Sequence, residues 1–131
     1  MYHQFLSKTA EFNDLFDVNN ELVSLANIIS NMPKNISWSK RLIDTENNSM
    51  TIISQMPGEG NRRHYHPHWN EWWYIVEGEW EWEMEDKVRK VVKGDIVFMR
   101  KNSKHKITAT GHKPAIRMAV SRSDVAHVYE D

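Results

Sequence analysis

Cysteine is absent from the 131 residues. No disulfide can therefore staple the chain, and no thiolate can act as nucleophile or metal ligand. An excess of one charge is missing too: 17 Lys and Arg stand against 18 Asp and Glu, a formal net charge of -1. That balance supplies no basic field of the kind that holds nucleic acid, so no nucleic-acid partner is expected. No apolar run is long enough to cross a bilayer, and no charged-then-apolar leader reads as a signal peptide. Neither a membrane partner nor export is expected, and the default compartment is the cytoplasm. Long internal repeats and low-complexity segments are also missing.

What is present is an ordinary globular balance, 40% hydrophobic and 27% charged, in a length that suits one domain with one core. Tryptophan is the exception. Five of the six (Trp69, Trp72, Trp73, Trp80 and Trp82) fall within fourteen residues. Side chains this large bury much area, in a core or a dimer face as the plainer reading and against a ligand as the other.

The first 35 residues differ from the rest. DVNNELVSLANIIS places Leu22, Leu25, Ile28 and Ile29 at helical spacing, with Asp17, Asn19 or Asn20 available as caps. Met32-Pro33 ends that helix, because the residue before proline is pushed out of the helical region. A second short helix is expected over the first sixteen residues, with Phe5, Leu6, Phe12, Leu15 and Phe16 on its apolar side. Residues 1–35 are thus expected as a helical extension packed on a β domain spanning 36–131. In that domain ISWSKRLID, MTIISQM, WWYIVEGEWEWEME, VRKVV, IVFM, HKIT and AIRMAV read as short strands separated by turn signals, a sandwich or barrel pattern. After Gly78, Trp80, Trp82 and Met84 point one way while Glu79, Glu81, Glu83 and Glu85 point the other, most simply toward water.

The segment HYHPHWNEWWYIVEG, residues 64 to 78, carries the chemistry. A packed core has little use for so many imidazoles, because each needs polar partners once buried. His64, His66 and His68 are two apart and would share a face of one extended segment. With Glu71 and the distant His105 they offer three imidazoles and a carboxylate, a nitrogen and oxygen donor set that suits iron, manganese, nickel, cobalt or zinc. Positions left open on such an ion are what separate a catalytic site from a structural one.

This pattern resembles the cupin superfamily. Its first motif is glycine, five residues, His-x-His, three or four residues, glutamate, six residues, glycine; here it reads Gly58, His64-Tyr65-His66, Glu71, Gly78, with every spacing met. Its second motif places a histidine eleven residues after a glycine, matched by Gly94 and His105. Two positions depart: the Pro-x-Gly turn is Arg100-Lys101-Asn102, and the closing asparagine is Ala109. Asn102 can adopt the left-handed geometry that glycine would supply.

The resemblance covers about residues 36 to 125. It implies a mostly β fold, a single double-stranded β-helix (jelly-roll barrel) with the N-terminal helical segment outside it. It also implies one divalent transition metal ion per chain, held by His64, His66, Glu71 and His105, and a homodimer paired through its sheets. Outward tryptophans, Trp72 and either Trp80 or Trp82, would supply the paired face. His68 is expected at the solvent-exposed mouth, with substrate contact or ligand replacement as its other readings; His3, His112 and His127 are left as surface residues.

Strand alternation sends Trp73 and Ile75 inward with Glu71, while Trp72, Tyr74 and Val76 face outward. Trp73 would then form an apolar wall near the ion. On the last strand, Ile116, Met118 and Val120 are the favoured inward set over Ala115, Arg117 and Ala119, although an inward Arg117 would be an anchor for a carboxylate or phosphate. Candidate substrate contacts are therefore Trp73, Arg62, Arg117 and Met118. Three functions fit a small polar or anionic organic substrate. The first is an Fe(II)-type oxygenase, slightly preferred; the second is a non-redox lyase or isomerase using the metal as a Lewis acid, and the third a ligand binder without turnover. Within the cupin superfamily, which the chain resembles, small lyases place a catalytic tyrosine two residues after the glutamate, where Trp73 stands here, so Tyr65, Tyr74 or His68 would have to substitute as a catalytic group.

Overall fold

The computed structural model describes residues 9–11, 18–122 and 128–129. Among these residues eleven strands and one helix follow in chain order: β1 Thr9–Glu11, α1 Leu25–Asn31, β2 Ser37–Asp44, β3 Ser49–Gln55, β4 His64–Tyr65, β5 Glu71–Glu77, β6 Glu79–Met84, β7 Lys87–Val92, β8 Ile96–Met99, β9 His105–Thr110, β10 Ala115–Ser121 and β11 Val128–Tyr129. They form a six-stranded sheet in the order β1-β2-β3-β10-β5-β8 and a five-stranded sheet in the order β11-β4-β9-β6-β7. Pairing is antiparallel except where β1 runs parallel to β2.

The crossing from β5 to β6 is made at a glycine. Gly78 lies between β5 and β6 at a φ of 80°, and a Cβ there would meet the Ala115 Cα at 2.7 Å. Only glycine satisfies both the left-handed backbone and the close approach. The turn between β6 and β7 falls at Glu85-Asp86, with Glu85 at a φ of 54°.

Alternation then sorts the side chains. On β6, Trp80 and Trp82 are buried and Glu81 is exposed. The expectation that one of these two tryptophans faces outward fails because residues two apart share a face. On β5, Glu71, Trp73 and Ile75 are buried while Trp72 and Tyr74 are exposed. The core between the sheets joins Trp73, Trp80 and Trp82 to Ile53, Ile75, Val91, Val97, Met99 and Ile107. Space for three indoles comes from Ala109, Ala115 and Ala119, whose small side chains lie in the same cluster.

This corrects the face assigned to the AIRMAV strand, β10. Ala115, Arg117 and Ala119 point between the sheets, whereas Ile116 and Met118 pack outside with Trp38, Leu42, Ile52 and residues Leu25, Ile28 and Ile29 of α1. The reason is competition for the apolar face: α1 needs a surface to cover, and Ile116 and Met118 supply it. The helix itself is capped by Ser24, whose Oγ accepts the Asn27 N–H at 3.2 Å, rather than by the expected residues. Asn19 is occupied elsewhere: its side chain accepts from the Asp44 N–H at 2.9 Å and donates to the Asp44 carbonyl at 3.0 Å. Within the stretch expected as a second helix, Thr9–Glu11 is a strand; residues 1–8 and 12–17 lie outside the described residues. Among the described residues no helix is long and apolar enough to cross a membrane.

Candidate metal centre

The five-stranded sheet builds the site by register. His64 on β4 stands directly opposite His105 on β9, and His105 opposite Met84 on β6. On the outer side Tyr129 of β11 is the partner of His64, and on the far side Lys87 of β7 is the partner of Met84. Cross-strand partners point to the same face, so Tyr129, His64, His105, Met84 and Lys87 form one row across the sheet. His66 follows just past the end of β4, where its carbonyl accepts the Asn102 N–H at 2.7 Å. Asn102 holds a φ of 68°, the left-handed turn that its position requires. Glu71, first residue of β5, enters from the opposite sheet.

The three imidazoles are buried and crowd together, with ring centroids 4.4 Å apart for His64 and His105, 5.0 Å for His64 and His66, and 5.3 Å for His66 and His105. One nitrogen from each lies within 4.8 Å of the others, close enough to share a cation. Backbone carbonyls fix which nitrogen that is. The Nδ1 of His64 donates to the Arg62 carbonyl at 2.6 Å and the Nδ1 of His105 to the Ser103 carbonyl at 2.9 Å. A carbonyl can only accept, so the proton of each neutral ring sits on Nδ1 and the lone pair on Nε2. Burial lowers the His64 pKa from 6.5 to about 4 and that of His105 to about 3, against the opposing pull of Glu71 and these backbone bonds. Both rings are therefore neutral at neutral pH, the form that binds metal.

Glu71 lies against this group of three through His66. Its Oε1 lies 2.7 Å from the His66 Nε2, and its Oε2 accepts the Trp73 indole N–H at 2.6 Å. Burial alone would raise its pKa, but the His66 contact, the neighbouring imidazoles and the indole outweigh it and bring the value down to about 2. A separation near that between His66 and Glu71 also suits two donors on adjacent positions of one ion, given metal–donor bonds of about 2.0–2.2 Å. Among the described residues the buried Nε2 of His105 makes no hydrogen bond. A buried lone pair aimed at a cluster of imidazoles, beside an ionised carboxylate, fits a divalent transition metal and is costly without one.

The remaining expected residues separate. Trp73 reaches the site, with its N–H on Glu71 and its ring roughly perpendicular to that of His105, centroids 5.9 Å apart. Arg117 is fully buried between the sheets, its guanidinium 4.6 Å from the Trp80 ring centroid and 5.0 Å from that of Trp73, with Nη1 donating to Gln55 Oε1 at 2.6 Å. Arg62 lies at the rim, its guanidinium 4.2 Å from the Tyr129 ring centroid. Met118 is on the outer face under α1 and does not approach the imidazoles. His68 is exposed, because a bend at Pro67-His68 follows β4 and breaks the alternation that would have aligned it with His64 and His66. Tyr74 is 37% exposed on the outer face of β5, and Tyr65 alternates away from the imidazoles on its two neighbours. His112 is exposed, while His3 and His127 lie outside the described residues.

Tyr129 and Gln55 were not foreseen. Tyr129 stands in register with His64, ring centroids 5.8 Å apart, but its strand has two residues and so no periodicity to read. Beside the row, a cleft of about 610 Å³ runs along the facing edges of β7 and β8. Trp82, Met84 and Phe98 give it apolar walls, and Lys87, Arg89 and Arg100 give it three cations against Glu85 and Asp86.

A family model described as "Cupin domain" matches residues 51–121. Several solved structures share the fold. A Klebsiella pneumoniae protein with a double-stranded beta-helix domain superposes with a TM-score of 0.73 at 20% identity, over 85% of this chain and 92% of that one. The polyketide cyclase RemF of Streptomyces resistomycificus gives 0.66 at 16% identity, over 75% and 73%. A sugar phosphate isomerase of the same superfamily from Silicibacter pomeroyi gives 0.60 at 20% identity, over 65% and 57%. No curated protein sequence matches the chain.

Proposed function

This chain belongs to the cupin-domain family, and on that premise we propose that it is a metal-dependent enzyme acting on a small anionic organic substrate. The carrying observation is the convergence of three buried imidazoles whose Nδ1 protons, for His64 and His105, are parked on backbone carbonyls. The proposed ligands are His64, His66, His105 and Glu71. One ion of iron, manganese, nickel, cobalt or zinc suits that set, and when bound it supplies Lewis acidity or, for iron, access to dioxygen chemistry.

Substrate charge is argued from the surroundings. The guanidinium of Arg117 is buried close enough to contribute to the lowered pKa of His64, so its positive field reaches the site. The adjoining cleft adds Lys87, Arg89 and Arg100 around an apolar surface. A small carboxylate or phosphate ester with an apolar body matches both features.

The reaction we favour is oxygenation. None of the three proton-transfer candidates read from the sequence stands beside the imidazoles: Tyr74 and His68 are exposed, and Tyr65 alternates away from its two neighbours. One observation favours a second reading, a non-redox lyase or isomerase. Tyr129 faces the same side as His64 with Arg62 against its ring, a placement from which a phenol could transfer a proton. The fold accommodates such chemistry, since a cyclase and an isomerase are among the solved structures it resembles.

The test has two parts. Elemental analysis of protein purified without chelator fixes whether a metal is present. Turnover of a panel of small carboxylates and phosphate esters, with dioxygen uptake recorded, then separates the reactions. Dioxygen consumption by the ferrous form, lost on refilling with zinc, supports the oxygenase. Anaerobic turnover abolished by Tyr129→Phe supports the second reading. Protein with no stoichiometric metal would defeat both.

A further inference from the structure

Inside the barrel one chain of contacts links a residue far from the imidazoles to the carboxylate beside them. Gln55 Oε1 accepts from Arg117 Nη1 at 2.6 Å; the Arg117 guanidinium lies between the rings of Trp80 and Trp73; the Trp73 indole N–H donates to Glu71 Oε2 at 2.6 Å; and Glu71 Oε1 meets His66. Gln55, Arg117, Trp73, Trp80, Glu71 and His66 are all buried to 1% exposure or less. Strand register brings them together: Arg117 on β10 pairs with Ile75 on β5, and Ala119 pairs with Trp73. The short side chains of Ala115 and Ala119, two residues either side of Arg117, leave the guanidinium and the indoles room on that face.

We propose that Trp73 is a positioning residue for Glu71, and that Arg117, anchored by Gln55, holds Trp73 in its working orientation. The inference rests on the metal-centre reading. A carboxylate has two oxygens and can rotate about its last bond. With Oε2 committed to the indole, Oε1 is the oxygen presented on the imidazole side. Trp73→Phe would keep an aromatic ring there and leave Oε2 without its donor. The arginine in turn limits how far the indole can tilt, because its planar cation is held against the faces of two rings by attraction to their π systems. Burying a guanidinium among apolar side chains is expensive, and an apolar residue of similar length would fill the volume without that cost. Fixing the indole is a function that such a residue could not perform.

The probe is Co(II), added to metal-stripped protein and followed by visible absorption, with zinc competition giving affinity. Trp73→Phe is expected to weaken Co(II) binding about 10–100-fold, the usual cost of removing an outer hydrogen bond to a metal ligand. Its absorption bands should shift, a change that loss of packing alone would not produce. Arg117→Lys, which keeps the charge but not the planar face, should weaken binding in the same direction. Either variant binding Co(II) with wild-type affinity and bands would overturn its part of the proposal. A wild-type protein that takes up no Co(II) would sink the metal-centre reading instead. Trp73 positioning is still decided by wild-type NMR in that case. Its indole proton should resonate downfield and exchange far more slowly than that of exposed Trp69, and equal exchange would refute the fixed hydrogen bond.

Discussion

His64 and His105 are direct cross-strand partners, and each donates its Nδ1 proton to the carbonyl two residues before it. The repeat of one local device on two neighbouring strands means that the backbone, rather than a further side chain, sets the tautomer. The extended chain just before each histidine returns a carbonyl to the ring, turning both Nε2 atoms to the same side.

Removing one imidazole should therefore disable the centre while leaving the barrel standing. His66 lies past the end of β4 and carries no strand pairing of its own, so His66→Ala is the mildest of the three truncations structurally. Bound metal is expected to fall well below one per chain, with far-ultraviolet circular dichroism unchanged. Wild-type stoichiometry by elemental analysis would remove His66 from the set.

Acid should destabilise the metal-free protein in a defined window. Burial holds His64 near 4 and His105 near 3, below the ordinary 6.5 that they regain on unfolding. Above pH 6.5 neither state binds these protons and the two contributions are flat. Below it the unfolded chain takes up protons that the folded one refuses, so stability declines as pH falls from about 6.5 toward 4 and 3. His64 alone accounts for about 3 kcal/mol over its window. Glu71 acts lower: its depressed pKa contributes stability present above 4.5 that is lost as pH falls toward 2. Denaturant midpoints at pH 7 and pH 5 in the presence of chelator measure the first effect, and equal midpoints would contradict the buried neutral imidazoles.

Much of this site was legible in the residues. His64, His66, Glu71 and His105 sit at spacings that admit few arrangements, and the structure gathers those four side chains inside one barrel. Alternation correctly turned Trp73 and Ile75 inward. It was ambiguous for β10, where both faces are packed: one against the other sheet, one against α1. Hydrophobicity favoured Ile116 and Met118 for the interior, and only the tertiary contact with two indoles explains a buried Arg117. The expected exposure of His68 holds, because Pro67 ends the extended run that carries His64 and His66. Tyr129 was illegible because its pairing with His64 is non-local and two residues long.

Gly78→Ala should be among the most damaging changes away from the proposed ligands. A Cβ at φ 80° is strained in itself, and this one would also press on Ala115 at 2.7–2.8 Å where β5 crosses to β6. A loss of about 2–3 kcal/mol is expected. A thermal midpoint within a degree of wild type would show that the crossing can relax.

The outer face of β5 and β8 bears on assembly. Trp72 pairs with Phe98 and Tyr74 with Ile96, and all four are exposed, Ile96 by 72% and Phe98 by 53%. Four large apolar side chains in a two-by-two block at a sheet edge form a contiguous patch that a lone molecule would leave in water. A second copy can cover it by a two-fold axis, because the same patch is then buried twice in one interface. We expect a homodimer, and Trp72→Lys should shift it to monomer by placing two like charges near that axis, without lowering bound metal, since Trp72 and Glu71 point to opposite faces of β5. Light scattering of wild-type and variant protein reads the mass directly. A wild-type mass of one chain would leave the patch to some other occupant, and a variant that remained dimeric would move the interface off this face.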